Sequence, residues 1–142
     1  MYAAPMPKMN ARNHTSLSMA VVRKIGAVSN KKILKVLFDP DSTRTLIHRG
    51  LVPKEAIPTA LNKTKTVDTI AGTMVSGEKV ILRDIRLPEF ENNRVINEQN
   101  ALLFDKKIRY DIIFGSNFMA KTGIDVMYST KTVNWYVCFG AA

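Results

Sequence analysis

Cysteine is nearly absent from this chain. Its 142 residues hold one, Cys138, which excludes an internal disulfide and leaves no thiolate cluster for a metal. Histidine is almost as scarce. His14 and His48 stand alone, in no ligand spacing, so neither zinc nor any other cofactor is expected. No apolar run approaches the ~20 residues of a membrane helix, and no membrane partner is expected. The opening residues, MYAAPMPKMNARNHTS, lack the apolar core of a secretory signal. Acids are missing from residues 1–38, which carry Lys8, Arg12, Arg23, Lys24, Lys31, Lys32 and Lys35. The whole chain has a net charge of +9. A basic arm of that kind fits weak proximity to nucleic acid. It has no interleaved aromatics to stack bases and no nucleic-acid motif, so a solvated basic surface is the plainer reading.

What is present is a 46% hydrophobic composition in a length suited to one domain. Residues 1–15 mix Pro, Met, Asn and Lys without periodicity and read as a flexible arm. Residues 16–138 read as the domain and 139–142 as a tail. SLSMAVVRKIGAVSN and KKILKVLFD read as two strands around a Ser29-Asn30 turn. TRTLIH reads as a short strand, and LVPKEAIPTAL as a loop broken by Pro53 and Pro58. KTKTVDTIAGTMVSG and EKVILRDIRL read as hairpin material. In the latter, Lys79, Ile81, Arg83, Ile85 and Leu87 alternate with Val80, Leu82, Asp84 and Arg86. LPEFENNRVINEQN reads as a polar connector, ALLFD and RYDIIFG as short strands, and DVMYSTKTVNWYVCF as a closing hairpin. SNFMAKTG reads as one short helix, with Ser116 as N-cap and Gly123 as its stop. The predicted class is mostly β, a small barrel or folded sheet with one short helix.

The chemistry concentrates in KVLFDPDSTRTLI, residues 35–47. Asp39 and Asp41 follow an apolar strand, and charge placed there needs an explanation beyond folding. Asp39-Pro40-Asp41-Ser42-Thr43 fits D-x-D-x-T. It resembles the first motif of haloacid-dehalogenase-like phosphatases, where the first Asp attacks phosphorus and the second is acid/base beside magnesium. That family needs a helix-flanked parallel sheet. Here Thr43, Thr45, Ile47, Gly50 and Pro53 oppose a long helix, and Ser116-Asn117 stand where metal-binding acids belong.

A second reading uses one carboxylate per chain. Two Asp side chains about 3 Å apart share one proton, because both cannot ionise, and together activate a water. A short chain with a single such loop must take the second Asp from a twin. The parts needed are an apolar strand into an Asp loop, a hairpin flap, and an apolar-apolar-Gly element beside the loop. VLFDPDSTRTLI, TIAGTMVSGEKV and YDIIFGSNFM supply them in that order, and GIDVMYSTKTVNW adds a last hairpin. In these residues the chain resembles the retropepsin-like aspartic protease domain of gypsy-class long-terminal-repeat retrotransposon polyproteins. It looks most like copies from diatoms and related algae, with LPEF and YDIIFG as shared stretches. The likeness runs over roughly residues 17–137.

The resemblance implies a homodimer with a small closed β-barrel in each subunit and one active site on the two-fold axis. It implies an aspartic endopeptidase that processes its own polyprotein, in the cytoplasm or within retrotransposon particles. Asp39 would supply half of the catalytic pair. Ser42 matches a motif hydroxyl that bonds the outer oxygen of that Asp. Ile70, Ala71, Gly72 and Thr73 would form the flap tip. Ile113, Phe114 and Gly115 match the apolar-apolar-Gly element, and Asn117 falls where the family has Asp or Asn.

Two positions depart from the pattern. Pro40 replaces a hydroxyl residue that ties the two loops together across the axis. Asp41 replaces a Gly that allows a tight turn, and in a dimer it adds two negative charges beside the catalytic pair. A decayed dimerisation or peptide-binding domain is therefore the alternative to an active enzyme. Other residues have plain readings: Trp135, Tyr136 and Phe139 as packing, Asp125 as a surface acid, and Asp111 as half of a structural pair.

Overall fold

Along much of the longest strands, apolar residues at alternate positions are turned toward a common interior. The computed structural model describes residues 6–7, 18–127 and 132–137. In chain order the strands are β1 (Met6–Pro7), β2 (Ser18–Ile25), β3 (Val28–Phe38), β4 (Leu46–His48), β5 (Thr59–Thr69), β6 (Gly72–Leu87), β7 (Glu91–Phe104), β8 (Ile112–Phe114), β9 (Ile124–Met127) and β10 (Thr132–Val137). Among the described residues the one α-helix, α1, spans Ser116–Thr122. The fold is mostly β, as the sequence predicts. The basic arm of residues 1–15 lies outside the described residues except for Met6 and Pro7, which pair with β10. The tail of residues 139–142, with Cys138 and His14, also lies outside them.

Neighbouring strands run β2-β3-β8-β4-β7-β6, and β6 pairs back onto β2. That last pairing closes a six-stranded barrel and removes its open edges. β5 stays outside the ring, paired with β6 as a long hairpin. β9 and β10 pair antiparallel, which is the closing hairpin expected.

Four local expectations change. The β2–β3 turn falls at Gly26-Ala27, with Ile25 opposite Val28, rather than at Ser29-Asn30. Gly26 adopts φ 61, which glycine takes at no steric cost. The polar stretch after Phe90 is not a connector but the first half of β7, held by pairing along β6. In the second half of β6 the buried residues are Val80 and Leu82, then Ile85 and Leu87. The buried parity switches at Asp84, whose φ of 52 interrupts the pleat. Finally, the N-cap of α1 is Gly115, and Ser116 is its first residue. Gly123 at φ 80 ends the helix as expected.

Two apolar clusters follow from this topology. The larger fills the barrel and includes Val36, Phe38, Ile112, Phe114 and Phe118. The smaller joins Leu37, Leu46, Leu102, Phe104 and Ile113 to Val67 and Met74 of the β5–β6 hairpin. The ends of β3 and β8 are thus buried on both faces, as unbroken apolar runs in parallel pairing are. Val67 and Met74 hold the hairpin down against the outer wall. Its tip is thereby brought over the end of β3.

Candidate active site

Asp39 stands one residue beyond β3, and its N–H donates to Phe114 O at 2.9 Å, extending the parallel ladder by one step. The chain then turns sharply, with Ser42 N donating to Asp39 O at 3.1 Å. Pro40 occupies the first corner of that turn, where its fixed φ is suitable and no N–H is needed. Asp41 occupies the second corner without a positive φ. Its N–H donates to Asp39 Oδ1 at 3.1 Å, while its own side chain is exposed. The two departures from the resembled motif are therefore accommodated by the backbone without strain.

Of the two acids, Asp39 is fully buried and Asp41 faces outward. The second oxygen of Asp39, Oδ2, accepts from the N–H of Ile70 at 2.7 Å. Ile70 and Ala71 form the turn between β5 and β6, so the hairpin tip caps the carboxylate. The turn is held by Thr69, whose hydroxyl donates to Gly72 O at 2.7 Å and accepts from Ala71 N at 3.1 Å. Gly72 leaves the turn at φ 114, and Lys106 lies against the space a side chain there would need. Thr73 donates to Asp68 across the hairpin at 2.9 Å. Asp39 thus has one backbone donor on each oxygen, one from its own loop and one from the hairpin.

The apolar-apolar-Gly element lies against the loop. Leu37 pairs with Ile113 and Phe38 with Phe114, while β4 pairs with the other side of β8. A Cβ on Gly115 would fall 2.2 Å from Arg44 O and 2.6 Å from Ser42 O. Only glycine fits there. The close approach lets Ser116 N donate to Ser42 O at 2.7 Å. Ser42 is buried, but its hydroxyl donates to Arg44 O at 2.7 Å and not to the carboxylate of Asp39. The turn points that hydroxyl along the loop instead of back at the acid.

Thr45 completes the support and carried no signal in the sequence beyond being a polar residue before a short strand. It is buried, donates to Asn117 Oδ1 at 3.0 Å and accepts from Gly115 N at 3.3 Å. Asn117 Oδ1 also accepts from Phe118 N at 2.8 Å, serving a donor in the first turn of α1. Phe118 stacks on Phe114 with ring centroids 3.7 Å apart. Loop, β8 and helix are in this way one hydrogen-bonded and packed unit.

Asp111 is structural. Its carboxylate accepts from Lys35 N at 2.8 Å, and its backbone bonds Lys35 O and His48 N. Asp125 is exposed on β9. Among the described residues no three His, Cys, Asp or Glu side chains gather as metal ligands, and no helix is long and apolar enough to cross a membrane.

No protein-family model matches the chain, and a search of curated proteins found no significant match.

Proposed function

We propose that this chain is one half of a homodimeric, retropepsin-like aspartic endopeptidase of a retrotransposon polyprotein. The observation that carries the reading is the seating of Asp39. It is a buried carboxylate at the end of β3, gripped by its own loop and reached by the tip of a hairpin. A site built from one such loop becomes chemically complete when a second copy brings its own Asp39 alongside. Pairing the two carboxylates lets one stay protonated while the other takes a proton from a bridging water. That water attacks the peptide carbonyl, and the protonated partner returns a proton to the leaving amine. The hairpin must lift to admit a peptide and close again over it, excluding water. Peptide, then, is the substrate class, and the parent polyprotein the natural source of it.

A second reading keeps the dimer and discards the chemistry: a peptide-binding or dimerisation domain with a decayed site. Pro40 and Asp41 favour it, as does the engagement of both Asp39 oxygens by backbone N–H groups. The phosphatase reading has less support. It needs a helix-flanked parallel sheet, and the described residues form a closed barrel with one short helix.

The test is incubation with a mixed peptide library at about pH 5, where a shared-proton pair is in its working state. Cleavage that is blocked by pepstatin and lost in Asp39→Asn supports the protease. Cleavage that survives Asp39→Asn refutes both enzyme readings. Peptide binding without cleavage assigns the decayed module.

A further inference from the structure

Beside the Asp39 loop, β5 leaves its ladder. Ala60 pairs with Glu78 and Lys65 with Ser76, so residues 61–64 stand opposite the single residue Gly77. The irregularity opens a cavity of about 130 Å³ between the hairpin and the barrel wall. Arg44 and Thr45 of the loop line it, with Lys65, Lys79, Asn100 and Asn117. It shares Leu61, Lys65 and Lys79 with a larger adjoining hollow of about 470 Å³, to which Lys63 also contributes. No acid lines either space.

Three cations from three different elements converge here, and none of Arg44, Lys65 and Lys79 forms an ion pair among the described residues. Glu78, the chain neighbour of Lys79, is engaged by Arg49 instead. Arg49 also binds Asp105 at 2.6 Å, and the two acids, Asp105 first, raise its pKa. Lys65 and Lys79 are half-buried. Folding has therefore gathered like charges in a concave space and left them uncompensated, an arrangement that repels itself until an anion enters. Asn100 and Asn117 add amide groups that can bond a carboxylate.

We propose that this cavity is a specificity pocket for an acidic side chain, glutamate or aspartate, carried by the peptide close to the bond being cut. The proposal rests on the protease reading for its geometry. A peptide lying between the Asp39 loop and the β5–β6 hairpin passes Arg44 on one side and Lys65 and Lys79 on the other. The small volume suits one side chain rather than a nucleic-acid backbone, which needs an extended basic track.

The experiment uses a positional library of octapeptides in matched Glu and Gln pairs, equal in shape and different in charge. Binding is read with the Asp39→Asn protein, which holds peptides without cutting them, and cleavage with the unaltered chain. At one library position Glu should bind about tenfold tighter than Gln, as charge-assisted hydrogen bonds produce. Lys65→Gln combined with Lys79→Gln should bring that ratio close to one, and Lys65→Arg with Lys79→Arg should keep it. A structural role would weaken both peptides alike and leave the ratio unmoved. Equal binding of Glu and Gln at every position overturns the proposal, even if peptides are cleaved. So does a ratio that persists in the double Gln variant, or displacement of every peptide by oligothymidylate. A Glu preference in binding with no cleavage by the unaltered chain upholds the pocket and overturns the protease reading alone.

Discussion

Gly115→Ala is the sharpest perturbation of the site that leaves its chemistry untouched. The glycine has an ordinary extended backbone, φ −87 and ψ −176, so alanine meets no conformational objection. The objection is space. The new methyl would lie 2.2 Å from Arg44 O, 2.6 Å from Ser42 O and 2.7 Å from Arg44 C, all backbone atoms. Carbon–oxygen contacts ordinarily begin at about 3.3 Å, so the overlap is about 1 Å with groups that cannot swing aside. Either the Asp39 loop or β8 must move. The hydrogen bonds from Ser116 N to Ser42 O and from Gly115 N to Thr45 Oγ1 span that gap. Overpacking costs about 1–3 kcal/mol, and weakening the two bonds adds about 1 kcal/mol, so the expected loss is about 2–4 kcal/mol. At a urea slope of about 2 kcal/mol/M the midpoint should fall by about 1–2 M. Unfolding followed by circular dichroism at one fixed protein concentration measures it, because dimerisation would otherwise shift the midpoint. Gly77→Ala is the control. Nothing lies within 4 Å of its added methyl, and the change should stay within about 0.5 kcal/mol. A Gly115→Ala protein within about 1 kcal/mol of the original, or equal losses for both variants, would refute the packing argument.

Three further outcomes are expected. Thr45→Val removes the donor to Asn117 and the acceptor of Gly115 N–H and should cost about 2 kcal/mol. Coupling in a double-mutant cycle with Asn117→Ala would show that the bond itself is responsible. Ile70→Pro suits the first corner of its turn but deletes the N–H on Asp39. Amide exchange at the hairpin tip should then quicken about tenfold, read by mass spectrometry; unchanged exchange would mean that Val67 and Met74 alone hold the hairpin. On the protease reading, Asp41→Gly removes an exposed charge beside the proposed pair of Asp39 carboxylates and should raise kcat/KM about tenfold, the equivalent of about 1.4 kcal/mol; a fall would show that Asp41 takes part in the reaction.

Local signals carried much of the site. An apolar run broken by Asp39, a hairpin centred near Gly72, and a short helix between Gly115 and Gly123 are each written in adjacent residues. Near neighbours in the chain decide these features, so their spacing survives into the fold. The β2–β3 turn is ambiguous in the sequence because Ser29-Asn30 and Gly26-Ala27 are both acceptable turn dipeptides, and only cross-strand register chooses between them. β7 was hidden because half of its residues face water, and its pairing with β6 leaves no mark on composition. Barrel closure through β2 and β6 likewise depends on backbone groups that every residue possesses. The local pattern alone does not tell which acid of Asp39 and Asp41 turns inward; in the sequence only the resemblance singles out Asp39. That follows from a turn closed by Ser42 N and from Ile70 N descending from a hairpin anchored elsewhere. The convergence of Arg44, Lys65 and Lys79 has the same origin: three ordinary surface cations in the sequence become one pocket only when a strand bulges beside a loop, since long-range packing, not local propensity, sets which side chains meet.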